Sequence, residues 1–262
     1  MWSYQHAGFT VHQLSVLRDN YIYLIESHTS NALIAVDPAE AVAVRKACKV
    51  LAKPLTHIFN THHHWDHTDG NLSLKQIFGC RIVGASHDAE RIPGIDVRVS
   101  EAAPPAIAGL NVAVLSVPGH TSGHIAYLVG DALFCGDTLF GAGCGRLFEG
   151  SADQMWHSLN KIAALDGSTK IYCAHEYTLA NLTFAVSIDA DNRVLAERIA
   201  ADHRRRRQQL PTIPSTLDSE KATNPFLRPL DSEFCCNYAA LHGVAAEPAA
   251  IFADIRRRKD HF

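Results

Sequence analysis

Four features common in other classes of protein are missing from this sequence. It has no run of about 18 apolar residues that could cross a membrane, and residues Met1 to His6 lack the charged start and apolar core of a secretion signal. Its seven cysteines are an odd number without C-x-x-C spacing, which argues against a disulfide framework and a thiolate zinc knuckle. Neither sign of charge dominates, because 24 Lys and Arg face 27 Asp and Glu. We therefore expect a cytoplasmic protein without membrane or nucleic-acid partners.

The patterns along the chain divide it into a mixed part and a helical part. The 262 residues exceed a typical domain of roughly 100 to 200, and 47% of them are hydrophobic. Apolar patterns predict strands at 9–16, 21–25, 33–36, 56–59, 81–84, 111–117, 125–129, 132–135 and 170–173. Helices are predicted at 39–51, 71–78, 152–165, 179–188, 193–209 and 249–259. No convincing strand follows Tyr177, so we expect an α/β domain at residues 1–177 and a helical domain at 178–262.

A cluster of histidines directly follows one predicted strand. Residues 61–67 read THHHWDH. Because side chains alternate along extended backbone, His62, His64 and Asp66 can project together, and a bend brings His67 to the same pocket. Neutral imidazole and carboxylate suit zinc, iron or manganese, whereas a structural zinc site would normally use thiolates. The cluster therefore predicts a catalytic metal site.

Further candidate ligands stand where other predicted strands end, which is where α/β folds gather their chemistry. One zinc uses three or four ligands, so seven candidates indicate two ions with a shared carboxylate and a water or hydroxide between them. We assign His62, His64 and His120 to the first ion, Asp66, His67 and His175 to the second, and Asp137 to the bridge. The remaining polar candidates are expected to support ligands or the fold instead: Asp37, His57, His63 and His124.

These residues resemble the metallo-β-lactamase superfamily, and the resemblance to its glyoxalase II (hydroxyacylglutathione hydrolase) family covers essentially the whole chain. The family-like stretches are THHHWDH (61–67), PGHT (118–121), CGDTLF (135–140), GCGRLFEG (143–150), CAHEYT (173–178), NPFLR (224–228) and RRRKDHF (256–262). The superfamily signature alone leaves the substrate open, and the later segments narrow it.

The resemblance implies a fold, a reaction and a set of substrate contacts. The implied fold is an αβ/βα sandwich of two sheets with outer helices, followed by a helical domain that helps to bind glutathione. The implied reaction is hydrolysis of S-D-lactoylglutathione to D-lactate and glutathione, which ends methylglyoxal detoxification, with two divalent ions, zinc foremost. We expect a monomer. The matching motifs imply that Arg146, Tyr177, Arg256 and Lys259 contact glutathione. Phe148 stands where several relatives have a tyrosine, so the hydroxyl contact is absent and only packing of the ring against the substrate is expected.

The basic end of the chain points to the same substrate on physical grounds. Arg256 and Lys259 are three residues apart, so on a helix they share a face, and glutathione carries two carboxylates that need cationic partners. A favourable charge at a helix C-terminus is the alternative explanation. In the predicted mechanism the two ions lower the pKa of bound water toward about 7, so that hydroxide forms at neutral pH. The predicted catalytic carboxylates are Asp66, which also steers the hydroxide, and Asp137, which bridges the two ions.

Other functions remain open at this stage. A single-iron glutathione persulfide dioxygenase would keep the fold, but related enzymes of that kind generally lack the helical tail. Lactone or β-lactam hydrolysis is a third enzymatic option. A non-catalytic metal or nucleic-acid-binding module could use the basic run Arg204 to Arg207, although a solvated helix face explains that run as well.

Overall fold

The computed structural model describes all 262 residues, and the chain folds as two compact units. The first unit contains Met1–Ser116 and Ser122–Gly136. The second unit contains Val117–Thr121 and Asp137–Phe262. The division at residue 178 that the sequence patterns suggest stays a prediction.

A seven-stranded sheet dominates the first unit, with its strands in sequential order. The strands are β1 (Trp2–His6), β2 (Phe9–Val16), β3 (Asn20–Ser27), β4 (Leu33–Val36), β5 (His57–Phe59), β6 (Arg81–Ala85) and β7 (Val97–Val99). Strands β1 to β4 pair antiparallel, whereas β4 to β7 pair parallel. Parallel neighbours need crossover connections. The helices of these connections are α1 (Ala41–Leu51), α2 (Trp65–Thr68) and α3 (Asn71–Phe78).

The core of the first unit lies between this sheet and its helices. Helix α1 buries Val44, Ala47 and Cys48, whose spacing of three and four places them on one helix face. Strand β4 is buried along its whole length, which is typical of a parallel strand covered on both faces. The first unit also contains an antiparallel meander of β8 (Val112–Ser116), β9 (Ile125–Val129) and β10 (Ala132–Gly136).

Helices make up most of the second unit. Its strands are short: β11 (Leu139–Phe140) pairs with β12 (Gly143–Cys144), and β13 (Lys170–Cys173) pairs with β14 (Ser215–Thr216). The helices are α4 (Ala152–Ala163), α5 (Thr178–Ile188), α6 (Arg193–Arg207), α7 (Leu217–Thr223), α8 (Ser232–His242) and α9 (Pro248–Asp260). None of the helices in the protein is both long enough and apolar enough to cross a membrane.

Most predicted elements are present, and the missed ones include helix α8, the edge strand β1 and several short strands. The predicted strands at β2, β4, β9 and β13 are confirmed to the residue. The expectation of no strand after Tyr177 was wrong, because β14 pairs with β13 there. Two residues are too few to show an apolar period, which explains the miss. Strand β1 was missed because an edge strand covered on one face only does not carry a fully apolar pattern.

A capping box starts α4, and its loss should cost stability. The Ser151 side chain accepts a hydrogen bond from the Gln154 backbone N–H, and the Gln154 side chain accepts one from the Ser151 backbone N–H. Ser151→Ala is expected to lower the free energy of unfolding by about 1 kcal/mol, because Ala cannot accept this bond. Urea denaturation measures the change. Ser73→Ala, on the exposed face of α3, is the control and should shift the midpoint little.

Candidate metal centre

A single carboxylate, that of Asp37, organises the histidine loop of the first unit. Asp37 follows β4, and Thr61 stands two residues beyond β5, the parallel neighbour of β4. The Thr61 backbone N–H donates to Asp37 Oδ1 at 2.8 Å, and its hydroxyl donates to Oδ2 at 2.7 Å. Asp37 has a φ of 49°, a left-handed conformation that aspartate tolerates better than most residues. The loop therefore starts from a fixed point at the end of two adjacent strands.

Hydrogen bonds set which nitrogen of two imidazoles is left for a metal. His67 Nδ1 lies 3.1 Å from Asp37 Oδ2, an acceptor. His62 Nδ1 lies 3.1 Å from the Thr61 hydroxyl, whose own proton goes to Asp37, so the hydroxyl oxygen accepts from His62. Both rings thus carry their proton on Nδ1 and keep Nε2 as the ligand atom. Asp37 lies within ligand distance of His62 and His67, but its oxygens are committed to these bonds, so it orients the ligands.

Two pairs of ligand atoms in this loop have the spacing of atoms that share one ion. His62 Nε2 lies 3.0 Å from His64 Nδ1, and His67 Nε2 lies 3.6 Å from Asp66 Oδ2. Two ligands on one tetrahedral zinc, each about 2.05 Å from the ion, stand about 3.3 Å apart. The Asn20 amide donates to Asp66 Oδ2 at 3.1 Å and fixes that carboxylate. The loop therefore presents two ligand pairs.

The second unit brings together the three other predicted ligands. His120 Nδ1 donates to the Arg146 carbonyl at 2.8 Å, and because a carbonyl only accepts, this ring also keeps Nε2 as its ligand atom. His120 Nε2 lies 3.4 Å from Asp137 Oδ2, and His175 Nε2 lies 3.4 Å from Asp137 Oδ1. Each oxygen of Asp137 thus faces a different imidazole, which is the arrangement of a carboxylate that bridges two ions.

The chemistry of the donor set fits divalent metal ions. Five of the predicted ligands are buried: His62, His67, His120, Asp137 and His175. Burial of several imidazoles with carboxylates is costly unless a cation neutralises them. Cys144, which is buried in the second unit, belongs to none of the groups of side chains that lie close enough together to share an ion, and burial raises the pKa of its thiol to about 11. Nitrogen and carboxylate ligands without thiolate suit zinc, iron and manganese alike.

The remaining histidines make other contacts. His57 Nδ1 lies 2.9 Å from the Thr56 hydroxyl, and burial, together with nearby Arg81, lowers the His57 pKa. The His124 ring stacks on the His62 ring with centroids 4.6 Å apart. His63 Nδ1 lies 2.9 Å from Asp88. Asp88 and Asn20 were missed by sequence reasoning, since a single Asp or Asn outside a motif carries no signal of such a contact.

The predicted glutathione contacts differ in accessibility. Phe148 is 61% exposed, with its ring 5.1 Å from that of His120, and Tyr177 is 37% exposed and stacks on His175 at 4.7 Å. The Arg146 side chain is exposed, and its Nε lies 3.9 Å from Asp260 Oδ1. These three side chains of the second unit are accessible to a ligand.

The two predicted glutathione contacts on α9, Arg256 and Lys259, are more enclosed. Arg256 is only 5% exposed, and it donates to the Cys144 carbonyl at 3.2 Å and to Asp260 Oδ1 at 2.8 Å. Lys259 Nζ lies 4.9 Å from the centre of the Phe184 ring, and burial followed by repulsion from Arg256 lowers the Lys259 pKa. Burial therefore limits the contact that Arg256 can make with a substrate.

A groove in the second unit lies apart from the predicted ligands and substrate contacts. A groove of about 670 Å³ in the second unit is lined by α5, α8 and the segments beside them, including Asp189, Phe234 and Tyr238. None of the predicted ligands or substrate contacts lines it.

Family models match both parts of the chain. A model described as the metallo-beta-lactamase superfamily matches residues 17–175, and one described as hydroxyacylglutathione hydrolase C-terminus matches residues 176–262. A hydroxyacylglutathione hydrolase of Methylococcus capsulatus is 51% identical over 95% of this chain and 97% of its own length. One from Rhodospirillum rubrum is 48% identical over 96% of this chain and 98% of its own length.

Solved structures share the fold at lower identity. ETHE1 from Myxococcus xanthus has a TM-score of 0.67 at 24% identity, covering 95% of this chain and 91% of its own. TTHA1623, solved in a di-iron-bound form, has a TM-score of 0.59 at 21% identity, covering 83% of this chain and 99% of its own. With the family models, these likenesses confirm the predicted α/β fold, a metallo-β-lactamase fold with two sheets and a C-terminal helical region.

Removal of the proposed bridging carboxylate should release metal. Asp137→Ala is expected to lose bound metal and to lower turnover more than about 100-fold, because the loss of residues that merely orient ligands already costs 10- to 100-fold. Elemental analysis of the purified variant gives the metal content. Glu197→Ala on the exposed face of α6 is the control. An Asp137→Ala protein with full metal content and wild-type rate would contradict the bridging role.

Proposed function

The chain belongs to the hydroxyacylglutathione hydrolase family of the metallo-β-lactamase superfamily, and we propose that it hydrolyses S-D-lactoylglutathione to D-lactate and glutathione. The observation that carries this proposal is identity of 51% and 48% with two enzymes of that name over 95% and 96% of the chain. The match includes the C-terminal region, residues 176–262, which has a family model of its own. The substrate is therefore a small molecule, a glutathione thioester.

We further propose that the seven predicted ligands hold two divalent ions, with zinc the first expectation and iron or manganese the alternatives. We assign His62, His64 and His120 to one ion, Asp66, His67 and His175 to the other, and Asp137 to both. The ligand spacings of 3.0 to 3.6 Å within each unit support this assignment. When bound, such ions supply hydroxide at neutral pH and a countercharge for the developing oxyanion.

The residues around the ligands do the positioning. Asp37 holds His67 and, through Thr61, His62, while the Arg146 carbonyl holds His120. Each ring is therefore fixed in rotation and tautomer before metal or substrate arrives, so less ordering remains to be done on binding. The Asn20 amide fixes Asp66, the carboxylate proposed to steer the attacking hydroxide.

The leaving group needs little help from the protein. A thiol has a pKa of about 8.5, so glutathione can depart as a thiolate without a strong general acid. The protein's remaining task is to bind the glutathione portion with its two carboxylates. We propose that Arg146, Tyr177, Arg256 and Lys259 bind it and that the Phe148 ring packs against it. The exposure of Arg146, Phe148 and Tyr177 supports this, whereas Arg256 is only 5% exposed.

Thiol release tests the reaction directly. Purified protein is expected to release thiol from S-D-lactoylglutathione, to lose this activity when a chelator removes its metal, and to recover it with zinc, iron or manganese. Oxygen consumption with glutathione persulfide and metal stoichiometry are measured in parallel. Full hydrolysis by metal-free protein would contradict the proposed mechanism, and oxygen uptake with one iron per chain and no thioesterase activity would favour the dioxygenase reading.

Arg146 offers a test of glutathione binding that leaves the reacting centre untouched. Arg146→Ala is expected to raise KM about fivefold with kcat little changed, because an ion pair of an exposed side chain contributes at most about 1 kcal/mol. Steady-state kinetics measures both constants. Arg207→Ala at the exposed end of α6 is the matched control. A fall in kcat at unchanged KM would place Arg146 in the chemical step and not in binding.

A further inference from the structure

A buried carboxylate beside the histidine loop has no role in the proposed mechanism. Asp88 ends the short 3-10 turn Ser86–Asp88 after β6 and is 1% exposed. Its Oδ2 lies 2.9 Å from His63 Nδ1, and its Oδ1 accepts from Arg91 Nε at 2.6 Å. Burial of a carboxylate costs free energy unless the carboxylate is paired with a cation. Arg91 therefore stabilises the negative charge of Asp88 at Oδ1, while Oδ2 contacts His63.

Asp88 also contacts the segment that follows His120 along the chain. A Cβ at Gly123 would stand 2.7 Å from Asp88 Cβ and Cγ, so the backbone of Gly123 packs directly against this carboxylate. Arg91 Nη2 donates to the Ser122 hydroxyl at 3.1 Å. Asp88 and Arg91 therefore join the histidine loop to Ser122 and Gly123, two and three residues after a proposed ligand.

The imidazole that Asp88 holds is a potential competitor for metal. Residues 62 to 64 offer three consecutive imidazoles, of which the proposed centre uses only His62 and His64. The centroid of the His63 ring lies 5.0 Å from that of His64 and 6.4 Å from that of His62. A change of χ1 moves a histidine ring by several ångströms between staggered rotamers. Sequence spacing alone thus does not keep this ring from an ion bound by its neighbours.

We infer that Asp88 is a positioning residue that holds His63 out of the metal coordination shell and thereby leaves His62 and His64 as ligands. This inference rests on the proposed function, since it presupposes ions at that loop. The hydrogen bond to His63 Nδ1 is the restraint, Arg91 keeps the carboxylate in place, and the contact with Gly123 fixes its position. Asp88 acts through His63 and contacts neither substrate nor metal.

A double-mutant cycle separates this role from a merely structural one. The variants are Asp88→Ala, His63→Ala and the double variant, all in the full chain. Each is loaded with cobalt, whose visible absorption reports the number and kind of ligands, and its affinity for cobalt is measured by competition with a chromogenic chelator. Wild-type metal stoichiometry and thiol release are recorded alongside.

The inference predicts a specific pattern of rescue. Asp88→Ala is expected to change the cobalt spectrum and to lower kcat roughly 10- to 100-fold, as the loss of other residues that orient ligands does. His63→Ala alone should keep the wild-type spectrum. The double variant should return to that spectrum, with kcat within about threefold of His63→Ala, because no ring remains to compete. Such non-additivity is the mark of two residues that act through each other.

Two outcomes would overturn the inference. If the double variant keeps the altered spectrum of Asp88→Ala, Asp88 acts on the loops and not through His63, while normal wild-type metal content and thiol release would leave the proposed function standing. If wild-type protein binds no metal and releases no thiol, the proposed function fails and the inference with it. Should Asp88→Ala not fold, Asp88→Ser replaces it, because the serine hydroxyl is too short to reach His63.

Discussion

The histidine loop depends on one hydrogen-bonded carboxylate at the end of a buried parallel strand. Asp37 accepts from the Thr61 backbone, the Thr61 hydroxyl and His67 Nδ1, and through Thr61 it also fixes His62. Because β4 and β5 are parallel neighbours, their carboxyl ends meet at the same edge, and this pairing places Asp37 within reach of the loop. The sheet therefore determines where the proposed ligands stand, and Asp37 determines which nitrogen of His62 and of His67 is left for a metal.

The second unit achieves the same result with a different device. Its central acid, Asp137, lies between two imidazoles, one at each oxygen, and a backbone carbonyl in place of a carboxylate holds His120. That carbonyl belongs to Arg146, whose side chain is proposed to bind glutathione. If both proposals hold, one residue orients a ligand through its backbone and binds substrate through its side chain, and a shift of its backbone would disturb both. A substitution of the Arg146 side chain, by contrast, leaves the carbonyl in place.

Much of this arrangement could be predicted from the sequence, and the reasons for the rest are physical. The spacing of His62 and His64 predicts that they project together because alternation along extended backbone is a local property. The same reason was wrong for Asp66, because Asp66 and His67 lie on the short helix α2. Most long strands and helices carry apolar periods and were found, whereas α8 was not. The partners Asn20 and Asp88 were not, because a contact between residues 25 or 46 positions apart depends on register and packing that no single-residue pattern encodes. The burial of Arg256 was equally hidden, since its spacing from Lys259 predicts a shared face and not which face is covered.

The helical region at residues 178–262 offers cationic side chains, and it also holds the β11–β12 hairpin of the second unit in place. Asn224 donates to the carbonyls of Phe140 and Gly143, and Glu220, fully buried, accepts from the Ala142 backbone N–H. The β11–β12 hairpin is a two-stranded sheet of its own, so each of its strands has one open edge. The bonds from Asn224 and Glu220 satisfy backbone groups that would otherwise be buried without a partner.

The hairpin in turn connects Asp137, two residues before it, to Arg146, two residues after it. Arg256 adds a further bond to this segment at the Cys144 carbonyl. The positions of the proposed bridging carboxylate and of the carbonyl that orients His120 therefore depend on side chains that lie 78 to 112 positions later in the chain than the backbone groups they bind. The segment between Asp137 and Arg146, near the middle of the chain, is thus held in place by side chains from the C-terminal part of the chain.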